Sequence, residues 1–171
     1  RTFLKNTALA GAGLMLATQR ATAVASDISP NAKIRVACIG VGTQGHRLLQ
    51  AVQNVPGTEI AIICDLYTGN IARAKELCLN PDVRIVPEWE KVVEDPTIDA
   101  VIIAVPDFWH APITVAAAKN KKDIYVEKGW CITLDEAKRM RSAVKDNHVV
   151  MQLGPHMNSI PQTHKALELY R

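Results

Sequence analysis

The sequence predicts an α/β fold: a doubly wound parallel sheet of six strands with helices on both faces. Three observations carry that expectation. From Lys33 onward, short apolar runs alternate strictly with helical patterns, the order that β-α-β units require. The most apolar run, Ala100 to Val105, is almost unbroken, as a central parallel strand buried on both faces must be. A glycine-rich turn joins the first strand directly to the first helix. Crossovers between such strands are almost always right-handed, which fixes the topology further.

Ile34 to Ile39 is the first expected strand, and the helix after the glycines runs through Leu48, Leu49 and Val52. Glu59 to Cys64 is the second strand. Ile71 to Leu79 is the next helix, stopped by Pro81, which cannot continue it. Val83 to Val86 is a short third strand, and Trp89 to Val93 a short helix before Asp95-Pro96. Ala100 to Val105 is followed by a helix from Ile113 to Lys119 and a strand from Ile124 to Val126. Thr133 and Glu136 have the spacing of a capping box. Leu134, Ala137, Met140 and Val144 then recur on one helical face. His148 to Leu153 completes the sheet.

With 171 residues the chain can bury one proper core. A hydrophobic content of 48% against 22% charged excludes a disordered chain. The net charge of +3 belongs to the start: setting aside Arg1, Lys5 and Arg20 leaves 17 basic and 17 acidic residues. With no basic stripe elsewhere, a nucleic-acid partner is not expected. Residues 1–25 read as a signal-like segment. Basic residues precede a weakly apolar run, and small residues then fit a cleavage site at Ala21-Thr22-Ala23 or Ala23-Val24-Ala25. The run is shorter than the roughly 20 apolar residues of a bilayer span, so no stable membrane span is expected. Arg1-Thr2-Phe3-Leu4-Lys5 resembles the second half of a twin-arginine export signal, which implies a periplasmic or otherwise exported protein. A frayed amphipathic helix is the alternative. Residues 26–32, polar and containing Pro30, read as a linker. Cys38 and Cys64 lie inside strand runs and read as small core residues. Neither C-x-x-C spacing nor a metal site is expected, and spacing alone assigns no disulfide.

Gly40-Val41-Gly42-Thr43-Gln44-Gly45 follows a strand and opens a helix, and Asp65 ends the second strand 20 residues past Gly45. That is a dinucleotide-binding fingerprint in its structural context. Gly40 permits the tight turn, Gly42 lets a pyrophosphate approach the backbone, and Gly45 lets the helix pack against the strands. The free N–H groups of the helix start, Thr43 and Gln44 among them, face the phosphates. Asp65 can accept from both hydroxyls of an adenine ribose and would repel a 2′-phosphate. NAD is therefore expected as cofactor, with NADP the less favoured alternative. The reading makes 33–153 a dinucleotide-binding domain of the Rossmann type.

Ligands of open parallel sheets bind at the carboxyl ends of strands. Two more clusters fall there: Val105-Pro106-Asp107-Phe108-Trp109-His110, and Glu127-Lys128-Gly129. Taken with the glycine turn, Cys64-Asp65 and the stretch from Asp99 to Pro112, they make residues 33–171 resemble the N-terminal domain of the Gfo/Idh/MocA oxidoreductases. The resemblance implies that Lys128 is the catalytic lysine beside the nicotinamide and the substrate hydroxyl. It implies that Glu127 lies near the nicotinamide ribose, and that Pro106 and His110 line the cofactor cleft. The family typically has Glu-Lys-Pro where this chain has Gly129, and loss of proline frees the turn. Gly154-Pro155-His156-Met157-Asn158 stands where the family often has Gly-x-Gln-x-Arg, so no role carries over to His156 or Asn158.

The resemblance further implies a second α/β domain that holds the substrate, missing from this chain, with 154–171 beginning the connection to it. The expected activity is oxidation of a sugar or cyclitol hydroxyl, catalysis needing that second domain, and a homo-oligomer is expected of the full-length protein. Two alternatives stand beside it: an NAD-dependent glycosidase of the same fold, and a non-catalytic nucleotide-binding fragment.

Overall fold

The computed structural model describes residues 33–155 and 160–170. The expected signal-like segment, the linker, and His156 and Asn158 lie outside the described residues. The chain divides into Arg1–Ala32 and Lys33–Arg171, and all described residues belong to the second unit.

Six strands form one parallel sheet: β1 (Ile34–Ile39), β2 (Thr58–Cys64), β3 (Arg84–Ile85), β4 (Ala100–Ile103), β5 (Asp123–Glu127) and β6 (Met151–Gly154). Their order across the sheet is β3-β2-β1-β4-β5-β6, with every neighbouring pair parallel. The chain builds β2 and β3 outward on one side of β1, then returns to the other side for β4 to β6. The switch between β1 and β4 is where such sheets open a crevice. The helices are α1 (Thr43–Val52), α2 (Thr68–Leu77), α3 (Trp89–Glu94), α4 (Asp107–Lys119), α5 (Leu134–Asn147) and α6 (Pro161–Tyr170).

Strand alternation divides the core in two. Ala37 and Ile39 of β1 join Val101 and Ile103 of β4 on one face, under α3, α4 and α5. Val36 and Cys38 face the other way and pack with Leu49 and Ala74 of α1 and α2. Each fully buried aliphatic side chain of this kind stabilises by about 1.5–3 kcal/mol relative to exposure. Cys38 and Cys64 are core residues, as expected. Burial pushes each thiol up to about 12, which leaves both as inert neutral thiols.

Several element bounds differ from the sequence reading, each for a local reason. Helix α2 starts at Thr68 and ends at Leu77, before Pro81 can stop it. Gln53 closes its end, donating to Leu77 O at 2.8 Å and accepting from Leu79 N at 3.0 Å. Helix α4 starts at Asp107 and keeps Pro112 inside, because burial of His110 and Ala111 draws the preceding turn into the helix. Strand β6 starts only at Met151, since His148 ends α5 in the left-handed conformation (φ 57°) and Val149 N still bonds Val144 O. The capping box is present, with Glu136 N donating to the Thr133 hydroxyl and Thr133 N to the Glu136 carboxylate. Leu134, expected on the apolar face, is 71% exposed at the first turn, whereas Met140 is fully buried.

The opposite edge of the sheet is fastened by polar groups. Buried Lys122 donates from Nζ to the carbonyls of Asp95 and Ile98, both at 2.7 Å, and burial pulls its pKa down. Asp95 accepts from the Thr97 hydroxyl at 2.7 Å and from Arg84 at 2.6 Å. The Thr97 hydroxyl above all, with its backbone N–H and Arg84, holds the Asp95 carboxyl down at about 2 against an ordinary 3.8. A lowered native pKa stabilises the fold only while the group is ionised. The contribution is full above the unfolded value near 4 and disappears as pH falls toward about 2. Asp95→Asn is therefore expected to flatten the acid limb of the stability profile, read as thermal midpoints from about pH 6 to about pH 2. An unchanged acid limb would refute the role.

Candidate functional site

The carboxyl ends of β1, β2, β4 and β5 meet at one edge, and the sequence between strand and helix shapes each corner. At the end of β1 the chain must turn under β4. Gly40 does so at φ +83°, its N–H bonded to Cys64 O at 2.8 Å. A Cβ there would stand 2.5 Å from Ala104 O, so the position has no room for a side chain. A Cβ on Gly45 would collide with the Gly40 carbonyl oxygen, which is how closely α1 lies on the turn. Gly42 is different: its Cβ would meet only Asn70 Nδ2, at 3.9 Å, so its outer side faces open space. It is the N-cap of α1, with no capping side chain and no acid in the first turn. The N–H groups of that turn and the positive end of the helix dipole face the opening, and Thr43 is exposed at its start.

A cavity of about 580 Å³ opens beside this turn. Gly40 and Gly42 line it together with Asp65, Asn70, Pro106, Trp89 and Trp109. Asp65 directly follows β2, and its carboxylate accepts from Val41 N at 2.8 Å, Tyr67 N at 2.9 Å and Asn70 Nδ2 at 3.2 Å. It fastens the glycine turn to β2 while also facing the cavity. Asn70 is a site residue that sequence reasoning missed. Its signal was its place five residues past Asp65, hidden because the helix was expected to start at Ile71. Trp89 and Trp109 were also missed as a pair: they come from α3 and α4 and meet with ring centroids 6.2 Å apart.

The second end of the edge is built around Glu127, which is buried at 4% exposure. Its Oε1 accepts from Gln44 Nε2 at 3.1 Å and from the Tyr125 hydroxyl at 3.4 Å, and its Oε2 from Lys128 N at 3.2 Å. Burial first, then the Glu127 charge, pushes the Tyr125 phenol up. Gly154 of β6 is required beside them, because a Cβ would strike the Tyr125 hydroxyl. Lys128 is exposed just past the strand end, and neither it nor Glu127 is among the residues that line the cavity.

His110 is placed differently from the position the resemblance implies. It is fully buried and does not line the cavity. Its Nδ1 lies 2.8 Å from Gly129 O and its Nε2 2.9 Å from Val105 O. Both ring nitrogens are engaged with backbone, so the ring fastens the two corners to each other from below. The turn that lacks proline at Gly129 is thus held by its carbonyl. The Lys128–Gly129 peptide is cis.

The residues present fit a dinucleotide: an uncapped helix start for a pyrophosphate, a carboxylate for a ribose, aromatic rings for a base. Among the described residues there is no group of three His, Cys, Asp or Glu side chains that could hold a metal ion. No described helix is long and apolar enough to cross a membrane.

Comparison with known proteins places this edge in a family. Residues 34–155 match the Gfo/Idh/MocA family, described as an oxidoreductase family with an NAD-binding Rossmann fold. The chain is 34% identical over 128 residues to scyllo-inositol 2-dehydrogenase (NAD(+)) of Bacillus subtilis (strain 168), covering 71% of this chain and 35% of that protein. It is 29% identical over 159 residues to a glycosyl hydrolase family 109 protein of Shewanella sp. (strain MR-4), covering 80% of this chain and 34% of that one. The crystal structure of myo-inositol 2-dehydrogenase from Lactobacillus plantarum shares the fold, with a TM-score of 0.73 at 22% identity over 81% of this chain and 41% of that one. The chain spans about a third of the length of the curated relatives it matches. With the family match over most of its length, the chain belongs to the Gfo/Idh/MocA oxidoreductases, and its sheet is their NAD-binding Rossmann domain.

Proposed function

We propose that this chain is the nucleotide-binding part of an NAD-dependent dehydrogenase acting on a sugar or cyclitol hydroxyl. The observation that carries the reading is a cavity at the carboxyl ends of the strands, lined by Gly42 of the uncapped helix start and by Asp65; the exposed Lys128 follows the carboxyl end of β5. When bound, the nicotinamide cofactor supplies the hydride acceptor. The chain's residues do the rest. The first turn of α1 holds the pyrophosphate, Asp65 the adenine ribose, and Glu127 the nicotinamide end. Lys128 takes the proton from the substrate hydroxyl. The similarity to a scyllo-inositol dehydrogenase supports a cyclitol or sugar as substrate.

Binding is testable on the 171-residue chain, because Trp89 and Trp109 line the cavity and report on its contents by fluorescence. NAD is expected to quench them saturably. Asp65→Asn is expected to weaken NAD about tenfold, the scale of a lost hydrogen bond to a charged group. No quenching, or equal affinity in the variant, would overturn the reading.

A second reading, NAD-dependent glycosidase, is favoured by the family 109 relatives, whose similarity extends over 80% of the chain. Full-length protein that carries tightly bound NAD and releases sugar without net NADH would establish it over the dehydrogenase. Residues 1–25 support export by a twin-arginine route, with 26–32 as linker, 33–153 as nucleotide domain and 154–171 leading toward a substrate domain. A reporter fused to residues 1–25 that stays in the cytoplasm would refute the export.

A further inference from the structure

The cavity that would take the adenosine half of the cofactor is acidic beyond Asp65. Glu88, the N-cap of α3, and Glu90 in its first turn line it as well, and no Lys or Arg is among its lining residues. These three acidic residues follow two neighbouring strands, Asp65 after β2 and Glu88 and Glu90 after β3. Their combined field reaches the cavity floor. The Cys64 thiol, raised first by burial, is raised further by Asp65, then Glu90, then Glu88. The three are not equal. Asp65 is engaged by three donors. Glu88 is paired with Lys91 at 2.9 Å, which offsets its charge. Glu90 is exposed in the first turn of α3, and among the described residues no cation pairs with it.

We propose that Glu90, supported by Glu88, is a specificity-determining residue that excludes a 2′-phosphate from the adenosine cavity and so selects NAD over NADP. The inference rests on the nucleotide-binding reading above and deepens it. Asp65 alone gives one wall of repulsion at the ribose. The acidic segment Pro87-Glu88-Trp89-Glu90 gives a second source of repulsion along the lining of the same cavity. A phosphate monoester carries a charge of about −1.5 to −2 at neutral pH. Opposed to one carboxylate across about 8 Å of water-like medium, it loses affinity by about fivefold at low ionic strength. At physiological salt, where the Debye length is itself about 8 Å, screening reduces the effect to about twofold.

The test is the affinity of the 171-residue chain for NAD and for NADP, by tryptophan quenching, in wild type, Glu90→Gln, the Glu88→Gln/Glu90→Gln double variant, and Asp65→Asn. Both glutamates are at the surface, so glutamine is not expected to disturb folding, and thermal melts check this. Glu90→Gln is expected to tighten NADP about fivefold at low salt while leaving NAD within about twofold, and the gain should shrink toward about twofold at physiological ionic strength. The double variant is expected to gain more. Equal change for both nucleotides, or no change while Asp65→Asn alone shifts the ratio, would overturn the proposal and leave the nucleotide reading intact. Failure of the wild-type chain to bind NAD would overturn both.

Discussion

Gly40→Ala is expected to abolish NAD binding and to destabilise the domain by about 2–5 kcal/mol. Two costs add. At φ +83° an alanine pays about 1–2 kcal/mol for the left-handed backbone. Its Cβ would also stand 2.5 Å from Ala104 O and 2.7 Å from Ala104 C, both backbone atoms of the neighbouring strand corner. Overpacking against atoms that cannot swing aside costs about 1–3 kcal/mol more. Relief requires the turn to lift off β4, and the same turn presents the first amides of α1. Gly57 supplies an internal control. It has the same φ of +83° but nothing within 4 Å of its would-be Cβ. Gly57→Ala is expected to pay only the backbone cost and to bind NAD normally. Urea midpoints and NAD titrations of the two variants separate close packing from backbone strain. If they behave alike, the close approach of Gly40 to Ala104 is not what matters.

The second large effect concerns chemistry. Lys128→Ala in the full-length protein is expected to lower kcat by about 10²–10⁴, the usual worth of positioned general acid-base help. NAD affinity and thermal stability are expected to stay unchanged, because the Lys128 side chain is exposed. Lys128→Arg keeps the charge, but a guanidinium stays protonated and cannot take up the hydroxyl proton, so it is expected to restore little turnover. Turnover equal to wild type in either variant would remove Lys128 from the reaction. Weakened NAD binding with normal kcat would instead make it a cofactor ligand.

The sheet and the glycine turn were legible because their signals are local. Apolar runs, the Gly40-x-Gly42-x-x-Gly45 spacing and Asp65 lie within short stretches whose physics does not depend on distant partners. The errors arose where tertiary contacts outweigh local pattern. Pro112 looks like a helix start, yet burial of His110 and Ala111 places it inside α4. His148 looks like the beginning of an apolar strand, yet it caps a helix. The cavity walls were less legible still. Glu90, Trp89 and Asn70 carry no motif, and they reach the glycine turn only because the sheet order sets β3 and β2 beside β1. His110 was read from resemblance as a cleft residue. Only the fold shows that its ring is enclosed by two carbonyls.

The hydrogen bond from Gln44 to Glu127 spans 83 positions of sequence and joins the glycine turn to the residue before Lys128. In kinetic terms it favours a compulsory order of addition. On the proposed reading, a nucleotide held by the first turn of α1 would lie beside Gln44 and be linked through its hydrogen bond to the carboxylate that precedes Lys128. The site for the second reactant would then be complete only after the first has arrived. If the full-length protein is the dehydrogenase proposed above, its product-inhibition patterns are expected to show NADH competing with NAD, and the oxidised sugar competing with neither NAD nor the sugar.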